Sequence, residues 1–242
     1  MANSYFRFKQ FTVNQELAAM KVTTDACLFG AWIAAQFSES IFPRSILDIG
    51  TGTGLLSLML AQKTDANIDA VEIDHDAAIQ AEGNFTASPW REQLSVTHKD
   101  IHQFKPSHTY EAIISNPPFY ENELTGNNTK KNIAHHDSGL LLQDLISIIS
   151  EKLTAENGHF FLLLPEKRLD ETLVMIRQQQ LAIRKICKVR QSVDHGFFRA
   201  LVHGTNKSHN EEPVTEELAI RNNNNQYTEA FEALLKDYYL YL

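Results

Sequence analysis

Cysteine is nearly absent from this chain: Cys27 and Cys187 are the only two in 242 residues, far apart and without a CxxC or Cys/His cluster. That argues against a disulfide framework or a structural zinc site and fits two buried thiols in a reducing cytoplasm. Long hydrophobic runs are missing as well. Leu58-Met59-Leu60-Ala61 and Phe160 to Leu164 fall far short of the ~20 apolar residues that span a bilayer. The first residues, MANSYFRFKQFTV, hold two basic side chains but no apolar h-region, so no secretory signal is expected. Histidines number 10, yet no HExxH or HxH spacing occurs. His135-His136 is the one adjacent pair, and adjacent side chains rarely face one ion, so no metal is expected. Positive charge is scarce too: 22 Lys+Arg against 30 Asp+Glu give a net −8, which excludes a uniformly basic nucleic-acid binder. No internal repeat is visible.

What is present is a soluble core composition, 43% hydrophobic and 21% charged, arranged as short β-rich runs alternating with helical ones. Strands are expected at Ser45–Ile49, Ile68–Ile73, Leu94–His98, Tyr110–Ser115, Phe160–Leu164, Ile183–Arg190 and Phe197–His203. Helices are expected at about Thr53–Lys63, His75–Phe85, Leu140–Leu153 and Glu166–Gln180. Strands separated by helical segments of this length imply βαβ crossovers and a mostly parallel sheet of seven strands. The run FFLLL has the continuous apolar character of a strand buried on both faces. Ahead of this core, Phe6, Phe8 and Phe11-Val13 flank Lys9-Gln10 like a small hairpin, followed by a helix near Thr24–Ala35. Behind it, Tyr227 to Leu240 reads as a capping helix. Residues 121–138 form a long polar loop. The whole reads as one domain of three parts: an N-terminal extension (1–40), a catalytic core (41–205) and a C-terminal capping segment (206–242).

Two turns carry chemistry. Asp48-Ile49-Gly50-Thr51-Gly52-Thr53-Gly54 joins a strand to a helix, where glycines let backbone approach a ligand at the helix N-terminus. A GxGxxG dinucleotide fingerprint would need glycine at position 55, which is Leu55. The spacing D-x-G-x-G-x-G instead resembles motif I of class I S-adenosylmethionine-dependent methyltransferases, which implies a Rossmann-like α/β fold. Glu72 ends the second strand, where a carboxylate can accept ribose hydroxyls, and Asp74 competes with it for that role. The second turn is Asn116-Pro117-Pro118-Phe119, after the fourth strand. An exocyclic amine on a ring is a poor nucleophile because its lone pair is delocalised. Accepting its two N–H hydrogens, one on the Asn116 amide oxygen and one on the Pro117 carbonyl, localises that pair. The prolines fix φ and remove competing donors, and Phe119 would stack on the substrate ring, a contact of ~1–3 kcal/mol for a base. Catalysis of this kind is positioning and electrostatics. Either turn alone is equally well a structural turn, but both should meet at the carboxyl ends of neighbouring strands.

Such a tetrapeptide is shared by enzymes that methylate adenine N6, cytosine N4, guanine N2 and a glutamine side chain, so the flanks must choose. Phe8-Lys9-Gln10-Phe11, Ala19-Met20-Lys21-Val22-Thr23-Thr24-Asp25 and Gly30-Ala31-Trp32 resemble the N-terminal signature of bacterial valine-tRNA (adenine-N6)-methyltransferases. Leu55 to Gln62, Asp69-Ala70-Val71-Glu72, Ser88-Pro89-Trp90, Leu163-Leu164-Pro165-Glu166 and Asn225 to Ala230 continue the similarity across nearly the whole chain. The resemblance implies methylation of the adenosine immediately 3′ of the anticodon, with S-adenosylmethionine as cofactor and tRNA as partner. It also implies that Asp48, Gly50, Gly52 and Gly54 hold the methionine end and Glu72 the ribose, while Asp100 accepts from the adenine amine with the Ile101 amide facing the ring. Lys21, Thr24 and Asp25 would approach the cofactor from the N-terminal helix, or Lys21 and Asp25 simply solvate a helix start.

Guanine-N2 methylation of ribosomal RNA is the enzymatic alternative, and a cofactor-binding RNA chaperone without turnover is the non-enzymatic one. A cytoplasmic monomer without membrane or metal is expected. Charge is uneven along the chain. Residues 1–21 carry a net +2, 22–164 a net −10, 165–207 a net +5 and 208–242 a net −5. In the basic stretch, strand alternation would place Arg184, Lys188 and Arg190 opposite Ile183, Cys187 and Val189. Those cations are either the protective charges of an edge strand or a phosphate-binding stripe for RNA, extended by Arg7, Lys9 and Lys21.

Overall fold

A computed structural model describes residues 3–39, 41–117, 140–206 and 212–242. Strands β1 (Tyr5–Arg7) and β2 (Thr12–Asn14) pair antiparallel as the expected hairpin. Then follow α1 (Thr24–Glu39), β3 (Ser45–Ile49), α2 (Leu55–Ala61), β4 (Asn67–Glu72), α3 (His75–Thr86), β5 (Leu94–His98) and β6 (Ala112–Ser115). From residue 140 onward come α4 (Leu142–Lys152), β7 (His159–Pro165), α5 (Leu169–Gln178), β8 (Ala182–Ser192), β9 (Phe197–Thr205), β10 (Val214–Arg221) and α6 (Glu229–Leu235).

The large sheet has the spatial order β10-β8-β9-β7-β6-β3-β4-β5. Strands β3 to β7 run parallel, and β9 alone is antiparallel to both neighbours. The expected α/β, mostly parallel architecture is present, but with eight strands rather than seven. The additional strand, β10, lies in the segment read as a cap. Its sequence VTEELAIR carries two adjacent glutamates, a helix-like composition, and only its alternating burial of Leu218 and Ile220 marks a strand. Because β10 pairs with β8, β8 is an interior strand, and the edge-strand explanation of its charges does not hold.

Side chains alternate across the sheet into two apolar layers. In β7, Phe161 and Leu163 face the layer containing α1 and α2, whereas Phe160, Leu162 and Leu164 face the layer containing α4. Burial on both faces is why FFLLL has no polar alternation. Helix α4 presents Leu142, Leu145, Ile146 and Ile149 at helical spacing to its layer. Helix α2 is buried all round, since Tyr238 covers it and donates its hydroxyl to the Met59 carbonyl at 3.1 Å. The chain ends meet nearby: the Lys9 amide donates to the Tyr238 carbonyl at 2.8 Å.

Candidate active site

The registers β3–β4, β4–β5 and β3–β6 bring the carboxyl ends of four parallel strands level with one another. At that edge the glycine turn adopts left-handed backbone at Gly50, Gly52 and Gly54, with φ of 73°, 57° and 81°. Gly54 is also a close approach, because a Cβ there would stand 2.5 Å from the Phe85 ring. A Cβ on Gly50 or Gly52 would meet no atom within 4 Å, so those two glycines border open space. Asp48 is fully buried beneath the turn. Its Oδ2 accepts from the Thr51 hydroxyl at 2.6 Å and the Ser57 hydroxyl at 2.7 Å, while its Oδ1 is buried with no partner. Burial, followed by the Glu72 charge, pushes its carboxyl up to about 6 despite the two hydroxyl bonds. A cationic ligand group above the turn would relieve that cost.

Glu72 and Asp74 separate in role. Glu72 accepts from the Gly52 amide at 2.8 Å and from the Asp74 amide at 2.9 Å, which aims its carboxylate across the turn. Asp74 is the N-cap of α3 and accepts from the Ala77 amide at 2.8 Å. Asp100 lies two residues past β5 and accepts from the His102 amide at 2.9 Å, and Ile101 is buried in the same apolar layer as Val71 and Ile49. Asn116 follows β6 and its Oδ1 is buried without a donor. Pro117 is buried beside it. Phe119, with Pro118 and the loop of residues 121–138, lies outside the described residues.

Asn116 opens into a cleft of about 610 Å³ lined also by Met20, Thr23, Asp25, Lys167, Phe197 and Arg199. Asp25 reaches this cleft, but its carboxylate accepts from Arg199 Nε of β9 at 2.7 Å. Lys21 donates its ammonium to the Gln15 carbonyl, and Thr24 is exposed at the start of α1. What ties the N-terminal segment to the site is Asn84 of α3, which the sequence reading missed. Its amide donates to the Thr53 carbonyl at 2.8 Å and the Asn14 carbonyl at 2.9 Å, and its Oδ1 accepts from the Asn14 amide. Gln80, one turn earlier, accepts from the Leu17 amide at 3.1 Å. Two amide side chains four apart on the buried face of an amphipathic helix were the available signal.

The RNA candidates scatter. Arg7 is exposed on the hairpin. Lys9 caps the C-terminal end of α6, donating to the Lys236 carbonyl, and borders a different cavity. A register shift between Ile183 and Lys185 breaks the expected alternation, so Ile183 and Ile186 face one layer and Cys187 and Val189 the other. Arg184 sits at the amino end of β8, and its charge, after burial, helps to lower the pKa of His159 at the amino end of β7. It is roughly 20 Å along the strand from Arg190. Lys188 and Arg190 lie toward the carboxyl end, near the cleft, paired with Glu166 at 3.3 Å and Glu217 at 3.1 Å.

Comparison with known proteins agrees with this geometry. Residues 30–158 match the family model of the methyltransferase small domain. The chain is 39% identical to the tRNA1(Val) (adenine(37)-N6)-methyltransferase of Cytophaga hutchinsonii, over all of both chains. It is 40% identical, again over all of both, to the protein of that name from Christiangramia forsetii. Among solved structures, a predicted O-methyltransferase from Agrobacterium tumefaciens superposes with a TM-score of 0.68 at 16% identity, covering 88% of this chain and 96% of that one.

Proposed function

Because this chain belongs to the tRNA1(Val) (adenine(37)-N6)-methyltransferase family, we propose that it methylates the exocyclic N6 of the adenosine immediately 3′ of the anticodon in a valine tRNA, using S-adenosylmethionine. One observation carries the reading to the residues. The glycine turn, Glu72, Asp100 and Asn116 converge on one sheet edge, with buried acceptor oxygens on Asp48 and Asn116 left without protein donors. Buried acceptors of this kind are normally satisfied, so they fit a ligand that brings donors.

Bound S-adenosylmethionine supplies an activated methyl group. Asp48 and the turn at Gly50, Gly52 and Gly54 hold its methionine end, Glu72 its ribose hydroxyls, and Asp100 and Ile101 its adenine. Asn116 Oδ1 and the Pro117 carbonyl accept the two N–H hydrogens of the target amine and so aim its lone pair. Phe119, outside the described residues, would stack on the adenine being modified. No strong base is required, because the site works by holding the amine in line and by preorganised acceptors. The same reading takes the chain as one domain acting as a cytoplasmic monomer without a metal.

Incubation with radiolabelled cofactor and separated tRNA and rRNA, followed by mass-spectrometric mapping, tests this directly. Label is expected in adenosine 3′ of the valine anticodon. Label confined to rRNA guanine, or to protein, overturns the reading.

A further inference from the structure

Phe197, the first residue of β9, is half-buried yet packs into neither apolar layer, whereas its neighbour Phe198 leans on the α1–α2 side. Cations surround its ring instead. The Lys188 ammonium stands 5.8 Å and the Arg190 guanidinium 5.3 Å from the ring centroid. Arg190 is its register partner on β8. The ring lines the same cleft as Asn116, together with Lys167 and Arg199. Arg190 also has a buried Nε with no acceptor. An aromatic ring left out of the core, with two cations held over it and lining a cleft beside the reactive amide, is the composition of a single-stranded RNA site.

We propose that Phe197 is a stacking platform for a base of the anticodon loop next to the target adenosine, and that Lys188 and Arg190 receive the adjoining phosphates. This rests on the tRNA reading above and adds to it the surface that receives the loop. The acids now facing these cations do not oppose it. Lys188–Glu166 and Arg190–Glu217 are partly exposed pairs, weak enough for a phosphate to take the acid's place.

The test uses the full-length protein with a fluorescent anticodon stem–loop of valine tRNA, read by anisotropy, beside steady-state methylation of the whole tRNA. Phe197→Leu is expected to weaken RNA binding and raise KM for tRNA about tenfold. Cofactor affinity by calorimetry and Tm should stay put, and Phe197→Tyr should restore binding. Lys188→Gln with Arg190→Gln should reduce the slope of log affinity against log salt by about 1.4, as for two lost phosphate contacts to a single strand. Unchanged RNA binding and KM in Phe197→Leu overturn the proposal while leaving the methylation reading intact. So does a parallel fall in Tm and cofactor affinity, which marks a packing role, or a loss that Phe197→Tyr fails to rescue. If the unaltered protein binds the stem–loop through Phe197 but labels no tRNA, the methylation reading fails instead.

Discussion

The two ends of the sheet order handle charge in opposite ways. Along β3 to β6, carboxylates are buried and held by short bonds from the protein's own amides and hydroxyls, as Asp48 and Glu72 are. Along β8 to β10, cations stand partly exposed and opposed by acids, as in Lys185–Glu216 at 3.1 Å, Lys188–Glu166 and Arg190–Glu217. Buried, hydrogen-bonded groups cannot rearrange cheaply, so the first region is a fixed mould for a small ligand. Exposed pairs are worth roughly 0–1 kcal/mol and exchange partners readily, so the second suits a large polyanion that arrives and leaves. The difference is that between a preorganised pocket and an adaptable landing surface.

The largest effect should come from the reacting edge of the mould. Asn116→Ala is expected to keep cofactor affinity and lose turnover by two or more orders of magnitude, measured with saturating cofactor and tRNA. Unchanged turnover would remove Asn116 from its assigned role. Next, Gly54→Ala forces a left-handed backbone and a collision with Phe85, for a stability loss of roughly 2–4 kcal/mol in denaturant unfolding. Gly52→Ala, which meets open space, should cost about 1 kcal/mol in stability while blocking the ligand. Equal losses for the two would show that the turn is merely a turn.

Glu72→Ala and Asp74→Ala then divide ligand binding from folding. The first should weaken cofactor affinity about tenfold, as for a lost charged hydrogen-bond partner. The second should lower stability by about 1 kcal/mol through the lost N-cap and leave affinity nearly unchanged. The reverse pattern in calorimetry moves the ribose contact to Asp74.

The smallest effect is in acid and base, where buried groups at the two rims of the sheet pull against each other. His159 and His203 lie at the rim opposite the glycine turn, with Nδ1 of the first 3.0 Å from Nε2 of the second. That contact needs one ring to donate and the other to accept, and burial lowers both, to about 4 and about 3. A folded-state value below the ordinary 6.5 means the unfolded chain binds more protons, so stability falls as pH drops from 6.5 through about 4. Asp48 is raised from 3.8 to about 6, so the ligand-free protein loses stability as pH rises through about 6. Asp48→Asn should therefore raise Tm by a few degrees above that pH and weaken cofactor binding, and a Tm unchanged at all pH values would remove the charge cost.

Much of the mould was legible beforehand. The strand Leu94–His98 is observed at its expected bounds, and the helix expected at His75–Phe85 runs one residue further. Asp48 lies within β3, Glu72 ends β4, and Asp100 and Asn116 follow β5 and β6, so strand-turn-helix spacing brings all four to the carboxyl ends of neighbouring strands. The landing surface was read less well. Arg184, Lys188 and Arg190 were grouped by a simple two-residue alternation, which a register shift breaks. Phe197 gave no signal at all, since an aromatic at a strand start looks like any other core residue.

Sequence by itself determined the α/β class, the glycine turn and the family, all of which depend on residues close together in the chain. Only the tertiary structure decided that β10 covers β8, that Asp25 pairs with Arg199 across the cleft, and that Asn84 staples the N-terminal hairpin to the glycine turn. These are contacts between distant segments, and their partners are chosen by which strands pair and which faces are buried, quantities that no local spacing records.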